Sequence, residues 1–290
     1  MCMKALITLL TDFGLEDEYI GVMKGVIKTI NPNVEFIDIS NEIPAWDIRR
    51  AAFYIGYSYK FFPRNTIHII VVDPGVGTKR DIICVRASAQ TFLAPDNGVL
   101  SVVLNKEKNA KIYKVSNKRY MLNWISSTFH GRDIFAPVAA HLSRGVLLDN
   151  IGKRANTFKK LDRIEPLLTK DRLTGEVIYS DRFGNLITNI NFGTFNRFIN
   201  PLRKPSSLTP LEDSLLSLAD FSKWVKPNKS LKIKVGNIKI NKIKSSYEES
   251  NNRYPFVIFG SKGLLEISVK KGSARNFFRG NKGLKVEISL

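Results

Sequence analysis

Cysteine is nearly missing from this chain: Cys2 and Cys84 are the two among 290 residues. A disulfide-built fold is excluded, and Cys84 lies in an apolar strand-like run. Both are therefore read as free thiols of a reducing, cytoplasmic compartment. Histidine is almost as scarce. His68, His130 and His141 include no pair at zinc-ligand spacing, so no metal site is expected. No apolar run is long enough to span a bilayer, and no membrane partner is expected. The start, Met1-Cys2-Met3-Lys4, leads directly into a strand-like stretch at 5–10, and no signal peptide is read there. Neither a Gly-rich dinucleotide fingerprint nor a Walker phosphate loop occurs. Internal repeats and low-complexity tracts are absent as well. Acidic residues are few: 26 against 45 Lys and Arg, for a net charge of +19. Such an excess suits nucleic acid or an anionic surface. The lysines are scattered, however, and no Cys/His finger or aromatic RNA-binding motif accompanies them. A solvated lysine-rich face is the simpler reading, and nucleic acid is not expected as a partner.

What remains is an ordinary soluble composition, 43% hydrophobic and 24% charged, in a chain long enough for two domains. One stretch organises it, Ile69-Ile70-Val71-Val72-Asp73-Pro74-Gly75-Val76-Gly77-Thr78-Lys79-Arg80. Four apolar β-formers predict a strand buried on both faces, which Pro74 and Gly75 stop. Asp73 then stands at the carboxyl end of a buried strand, where open α/β sheets place ligands. Taken alone, Asp-Pro-Gly is also common turn chemistry.

The stretch at 5–10 repeats the plan, ending in Thr11-Asp12-Phe13-Gly14. A helix is predicted over 16–30, with Tyr19, Met23, Val26, Ile27 and Ile30 on one stripe, stopped by Asn31-Pro32-Asn33. A strand over 34–39 follows, then a helix from an Asp47 N-cap to about Phe61. Strands are predicted at 66–72, 82–87, 92–94 and 111–115, with a tight turn at Pro95-Asp96-Asn97-Gly98. Phe129-His130-Gly131-Arg132-Asp133 opens a helix over 134–143 that Gly145 closes. His68 and His141 read as structural histidines inside elements. His130 reads as structural or functional with equal weight, beside the unpaired N–H groups of a helix start. Alternating strands and helices argue for an N-terminal α/β layer domain with a largely parallel sheet, over 1–165. A polar stretch at 156–170 reads as a linker. From 172 to 290 strand signals dominate (175–180, 186–191, 231–235, 256–260, 264–269), interrupted by a short helix around 210–224. A smaller, β-barrel-like C-terminal domain is expected there.

Six motifs occur in one order: Thr11-Asp12-Phe13-Gly14, Asp73-Pro74-Gly75-Val76-Gly77, Ala94-Pro95-Asp96-Asn97-Gly98, Phe129-His130-Gly131-Arg132-Asp133, Asp181-Arg182-Phe183-Gly184-Asn185 and Gly260-Ser261-Lys262-Gly263. In this the chain resembles the S-adenosyl-L-methionine (SAM) hydrolases, or SAM hydroxide adenosyltransferases, relatives of the SAM-dependent chlorinases and fluorinases. The resemblance covers nearly the whole chain. It implies the two-domain α/β and β-barrel-like fold, a homotrimer with SAM between subunits, and hydrolysis of SAM to adenosine and L-methionine without any cofactor. Its water-handling set falls on Asp73, Arg80 and His130. Arg80 stays charged and favours hydroxide. His130 or Asp73 holds or accepts the proton, and the sequence does not choose between them. By position, Asp12 holds the ribose hydroxyls, Trp46 lines the ribose pocket, and Asp181 pairs with the methionine ammonium. Asn185 and Phe183 contact adenosine. Ser261 and Lys262 lie near the methionine carboxylate or the purine, Tyr247 stacks on adenine, and Glu266 and the Val269 backbone read the purine edge.

Plainer readings stand beside these roles. Trp46 and Phe183 also suit a packed core, Asp12 a helix cap, and Glu266 a solvated strand position. Lys262 stands where the halogenases have arginine, so a bidentate carboxylate grip is not available. Lys270-Lys271-Gly272-Ser273-Ala274 replaces an Asn-x-Gly-Asn-Ala type segment, which removes a side-chain purine contact. The alternatives to hydrolysis are a SAM- or adenosine-binding regulatory protein and, with the triad against it, a SAM-dependent halogenase.

Overall fold

The computed structural model describes residues 4–201, 231–240, 243–250, 253–280 and 282–290. The helix predicted around 210–224 and Cys2 lie outside them. The chain divides into two compact units, 1–162 and 163–290. Among the described residues no helix is long and apolar enough to cross a membrane.

Unit 1 is built on a seven-stranded sheet. Its strands are β1 (Ala5–Thr11), β2 (Val34–Ser40), β3 (Ile67–Val71), β4 (Ile82–Ala87), β5 (Gln90–Pro95), β6 (Lys111–Val115) and β7 (Gly152–Ala155), in the order β2-β1-β3-β5-β4-β6-β7. The first four positions of that order are parallel. β4, β6 and β7 extend the sheet with antiparallel pairs. The parallel part is therefore four strands; β4 and β5 form a tight hairpin, while helical segments at Ser101–Lys106 and Ala136–Ser143 lie in the β5–β6 and β6–β7 connections.

Helices cover both faces. α1 (Tyr19–Ile30) turns Ile20, Met23 and Ile27 inward. It starts three residues later than the stripe suggested, because Glu16–Glu18 form turns rather than helix. α2 (Ile48–Ser58) begins at the expected cap, the Asp47 carboxylate accepting from the Arg50 N–H at 3.0 Å. α3 (Ser101–Lys106) packs with α2, while α4 (Ala136–Ser143) packs with α1. Alternation along β3 sends Ile67, Ile69 and Val71 to the α1/α4 core and Ile70 to the α2 core. Each such buried aliphatic side chain contributes about 1.5–3 kcal/mol. The strand that leads to Asp73 is thereby fixed from both sides.

β1 lies between β2 and β3, with α1 and α2 on opposite faces. The carboxyl ends of β1 and β3 thus flank a topological switch point, where α/β sheets bind ligands. His68 is structural. Its ring bonds Thr8 on β1 (2.7 Å) and Gln90 on β5 (3.3 Å), tying three adjacent strands, and burial lowers its pKa to about 4. His141 sits in α4 against the Tyr120 ring. Cys84 is a buried free thiol, its pKa pushed up to about 12.

Unit 2 is a nine-stranded half-barrel sheet. Its strands are β8 (Leu167–Leu168), β9 (Arg172–Ser180), β10 (Leu186–Asn191), β11 (Lys232–Val235), β12 (Ile238–Ile240), β13 (Ile243–Lys244), β14 (Phe256–Phe259), β15 (Leu264–Ser268) and β16 (Lys285–Ser289). β13 and β14 are parallel and the other pairs antiparallel. One face carries the core: Val177, Leu186, Val257, Phe259, Leu265 and Ile267, closed by Phe192, Phe195 and Phe198 of the Phe192–Ile199 helix. The opposite face of the central strands carries Tyr179, Ile187, Ile258 and Glu266.

Candidate active site

The site in unit 1 grows from two strand ends and one helix start. β1 delivers Asp12 and β3 delivers Asp73. The Pro-Gly-Val-Gly turn after Asp73 bends back at Gly77 (φ +77°), where an added Cβ would lie 2.2 Å from the Ser127 carbonyl oxygen. Only glycine permits this approach. It seats the turn against the 126–130 segment, so that Arg80 meets both Asp73 and His130.

Arg80 Nε donates to Asp73 Oδ1 (3.0 Å) and Oδ2 (2.8 Å), and Nη2 also donates to Oδ2. Nη2 further reaches His130 Nδ1 at 2.8 Å. The Gly75 N–H adds a bond to Asp73 Oδ1 at 3.2 Å. Both charged side chains are buried, 6% exposed for Arg80 and 4% for Asp73. A guanidinium cannot accept a hydrogen bond. His130 Nδ1 is therefore the acceptor, and the ring carries its proton on Nε2. Burial first, and then the Arg80 charge, lower the His130 pKa, which keeps the ring neutral at neutral pH.

His130 is aimed by an irregular helix start. Residues Gly131–Phe135 form a π turn ahead of α4. Gly131 is needed there, since a Cβ would lie 2.9 Å from the Phe129 ring and 3.0 Å from Met23 Sδ. The fully buried Asp133 carboxylate braces the loop, accepting from the Ser126 N–H (2.7 Å) and Arg132 Nε (2.6 Å).

A pocket of about 270 Å³ opens over these groups, lined by Asp12, Trp46, Asp73 and His130 among others. Phe13, Tyr19 and Phe129 line its apolar side as an edge-to-face cluster, with centroids 5.0–5.9 Å apart. The volume falls just under the ~300–1,000 Å³ usual for a small-molecule site. Asp12 accepts from the Trp46 N–H at 2.8 Å. Its pKa is raised, mainly by burial, with Asp73 adding to it. It caps no helix, because α1 begins from Glu18 without a side-chain cap. Trp46 is not core either. It is 72% exposed and holds a left-handed backbone (φ +64°).

The remaining candidates lie in unit 2. Asp181 and Asn185 close the β9–β10 turn on each other, Asn185 N–H to Oδ1 at 2.8 Å and Nδ2 to Oδ2 at 2.9 Å. Phe183 is at the tip of that turn, 81% exposed, so the core reading fails for it also. Lys262 Nζ donates to the Tyr179 hydroxyl at 2.8 Å and lies over its ring. Ser261 is exposed in the turn before β15. Glu266 is buried, not solvated: its cross-strand neighbours are Ile187 and Ile258, and the Tyr247 hydroxyl donates to it at 3.1 Å. Burial raises its pKa to about 7. Val269 packs its side chain into the core, leaving only its backbone available to a ligand. Among the described residues no group of three or more His, Cys, Asp or Glu could hold a metal ion.

Four participants were not singled out from the sequence. Phe13 and Phe129 stood inside quoted motifs without a role, and Tyr19 was read as helix stripe. Tyr179 carried no motif signal.

Comparisons with known proteins place the chain among relatives over nearly its whole length. Family models of the SAM hydroxide adenosyltransferase N-terminal and C-terminal domains match residues 7–152 and 215–287. The chain is 31% identical to an (R)-S-adenosyl-L-methionine hydrolase of Thermus thermophilus over 286 residues, 96% of this chain and 97% of that protein. It is 34% identical to one from Methanocaldococcus jannaschii, over 91% of this chain and 88% of that protein. A crystal structure of an uncharacterized conserved protein from Thermotoga maritima superposes with a TM-score of 0.81 at 35% identity, covering 98% of this chain and 100% of the other.

Proposed function

Because the chain belongs to the SAM hydroxide adenosyltransferase family, we infer that it hydrolyses SAM to adenosine and L-methionine. The observation that carries this reading is the buried Asp73–Arg80–His130 cluster on the wall of an open pocket. A water oxygen attacks the ribose C5′ and the C5′–S bond breaks. The electron pair goes to sulfur, so the sulfonium leaves as a neutral thioether and the water loses a proton. The leaving group needs no acid, and the chemistry asks for no cofactor.

The chain's own groups account for the water. Nε2–H of neutral His130 donates to the oxygen. The Arg80 charge beside it favours hydroxide over water. With His130 Nδ1 engaged by Arg80, the carboxylate of Asp73 is the acceptor left among the three, and it takes the proton on its way to solvent. Asp12 holds the ribose hydroxyls with both oxygens, beside the Trp46 ring. Hydroxide and sulfonium destroy two charges on reacting, so a site closed to bulk water speeds the step.

The pocket of unit 1 is smaller than the substrate class needs. The unit 2 residues Asp181, Phe183, Asn185, Tyr247, Ser261, Lys262 and Glu266 supply the rest, from a neighbouring copy in a homotrimer. Asp181 takes the methionine ammonium, and Lys262 takes the carboxylate as a point charge. A cytoplasmic location fits the free, buried Cys84 thiol. Incubation of the purified protein with SAM, with products separated by chromatography and identified by mass, tests the reading. Adenosine and methionine are expected, and a protein altered together at Asp73, Arg80 and His130 should yield none. SAM left intact while it raises the melting temperature would instead mark a binding protein.

A further inference from the structure

The turn at Tyr247–Glu249 is fastened to β15 and to the turn that follows it by two side-chain tethers. The Tyr247 hydroxyl donates to Glu266 Oε2 at 3.1 Å. One residue on, Glu248 pairs with Lys270 Nζ at 2.9 Å, and the same amine donates to the Glu248 carbonyl at 3.0 Å. Lys270 thus has work in the segment where the sequence departs from its relatives.

The two ends of the first tether differ in rigidity. Tyr247 sits on a three-residue 3₁₀ turn and is 45% exposed, its ring meeting Phe256 edge-on at 6.3 Å. So short a turn does not by itself fix the angle of a ring. Glu266 is held in the middle of the sheet between Ile187 and Ile258. Its carboxyl lies against the backbone of Gly260, where an added Cβ would stand 1.8 Å from Oε1. The other charged groups that act on it are Asp181 and Lys262. A carboxyl between two isoleucines is costly, and an apolar side chain would be more stable.

We propose that Glu266 is a positioning residue: through its bond to the Tyr247 hydroxyl it sets the plane of that ring as a platform for the adenine of the substrate, with Lys270–Glu248 as a weaker second tether. The inference rests on Tyr247 as an adenine contact. A ring aimed before binding lowers the ordering cost of association. Glu266→Gln keeps an oxygen that accepts from the phenol, whereas Glu266→Ala does not. Tyr247→Phe keeps the ring and loses the tether.

Steady-state hydrolysis of SAM by the full chain separates the outcomes. Tyr247→Phe and Glu266→Ala should each raise KM about tenfold, with a far smaller change in kcat. The double variant should be no worse than either single one, because both remove the same bond. Glu266→Gln should recover most of the loss, and Lys270→Ala should cost about twofold. Two results overturn the proposal: losses that multiply in the double variant, or a glutamine variant as poor as the alanine one, which would make the charge rather than the bond the operative feature. If Glu266→Ala does not fold, Tyr247→Phe with the parent KM overturns it equally. Adenosine missing from the unaltered protein would sink the hydrolase reading by itself. The same variants would then be compared by calorimetric Kd for SAM, with the same expectations.

Discussion

Arg80→Ala would leave the Asp73 carboxylate buried with the Gly75 N–H as its remaining donor. Asp73 is 4% exposed, so water has little room to replace the lost bonds. Removing one member of a buried ion pair costs about 3–5 kcal/mol, which for a unit of this size lowers Tm by roughly 10 °C. Turnover should fall as well. Arg80 supplies the positive charge bonded to His130, and loss of one preorganised electrostatic donor costs about 10²–10³ in kcat. The two effects separate in the double variant Asp73→Asn/Arg80→Met, where neither partner is left as an unpaired charge. Urea midpoints should show that the double variant recovers half or more of the lost stability. Adenosine release, followed by chromatography at saturating SAM, should stay as low as in Arg80→Ala. Turnover of Arg80→Ala within threefold of the parent, or a double variant that regains turnover along with stability, would refute this role for Arg80.

Acid should destabilise unit 1 through His68. Its folded pKa is about 4, against 6.5 ordinarily, so between those values the unfolded chain binds a proton the folded chain refuses. Its contribution is complete above pH 6.5 and declines as pH falls towards 4, by on the order of 3 kcal/mol. Urea melts of the parent and of His68→Asn at pH 7 and pH 4.5 check this, and an equal acid sensitivity of the two would refute it. Gly77→Ala should cost more than 2 kcal/mol, because the new Cβ meets the Ser127 carbonyl oxygen. Gly145→Ala, at φ +91° with open space around it, is the control that carries backbone strain without the clash. Equal Tm losses in the two would show that the close approach is not what matters.

How far the sequence reaches depends on whether a feature is local. Asp73 at the end of a buried strand was legible, since four consecutive β-formers meeting Pro-Gly need no knowledge of the rest of the chain. The Asp47 cap was legible for the same reason. The antiparallel arm β4-β6-β7 was not, because strand direction depends on partners and a run such as 82–87 reads alike either way. The bond from Arg80 to His130 spans fifty residues, and only the motif order hinted at it. Glu266 shows the opposite failure. One acid among apolar neighbours in an edge-like pattern invites a solvated reading, and its burial comes from two flanking strands that periodicity cannot name. For Trp46 and Phe183 the sequence offered both a ligand-facing and a core reading; large aromatics are so often core that their exposure has to be seen.

The π turn at Gly131–Phe135 gives the site a sensitivity that residue identity does not record. Each helical residue rotates the chain by about 100°. Deleting Ile134, which lies within the turn but after the His-Gly-Arg-Asp motif, would regularise the helix yet swing His130 about a quarter-turn away from Arg80. An alignment of such a chain would show every functional side chain intact and a one-residue gap at a helix start. The gap, not a substitution, would be the inactivating change, and a relative carrying it should be scored as catalytically altered despite its complete motif.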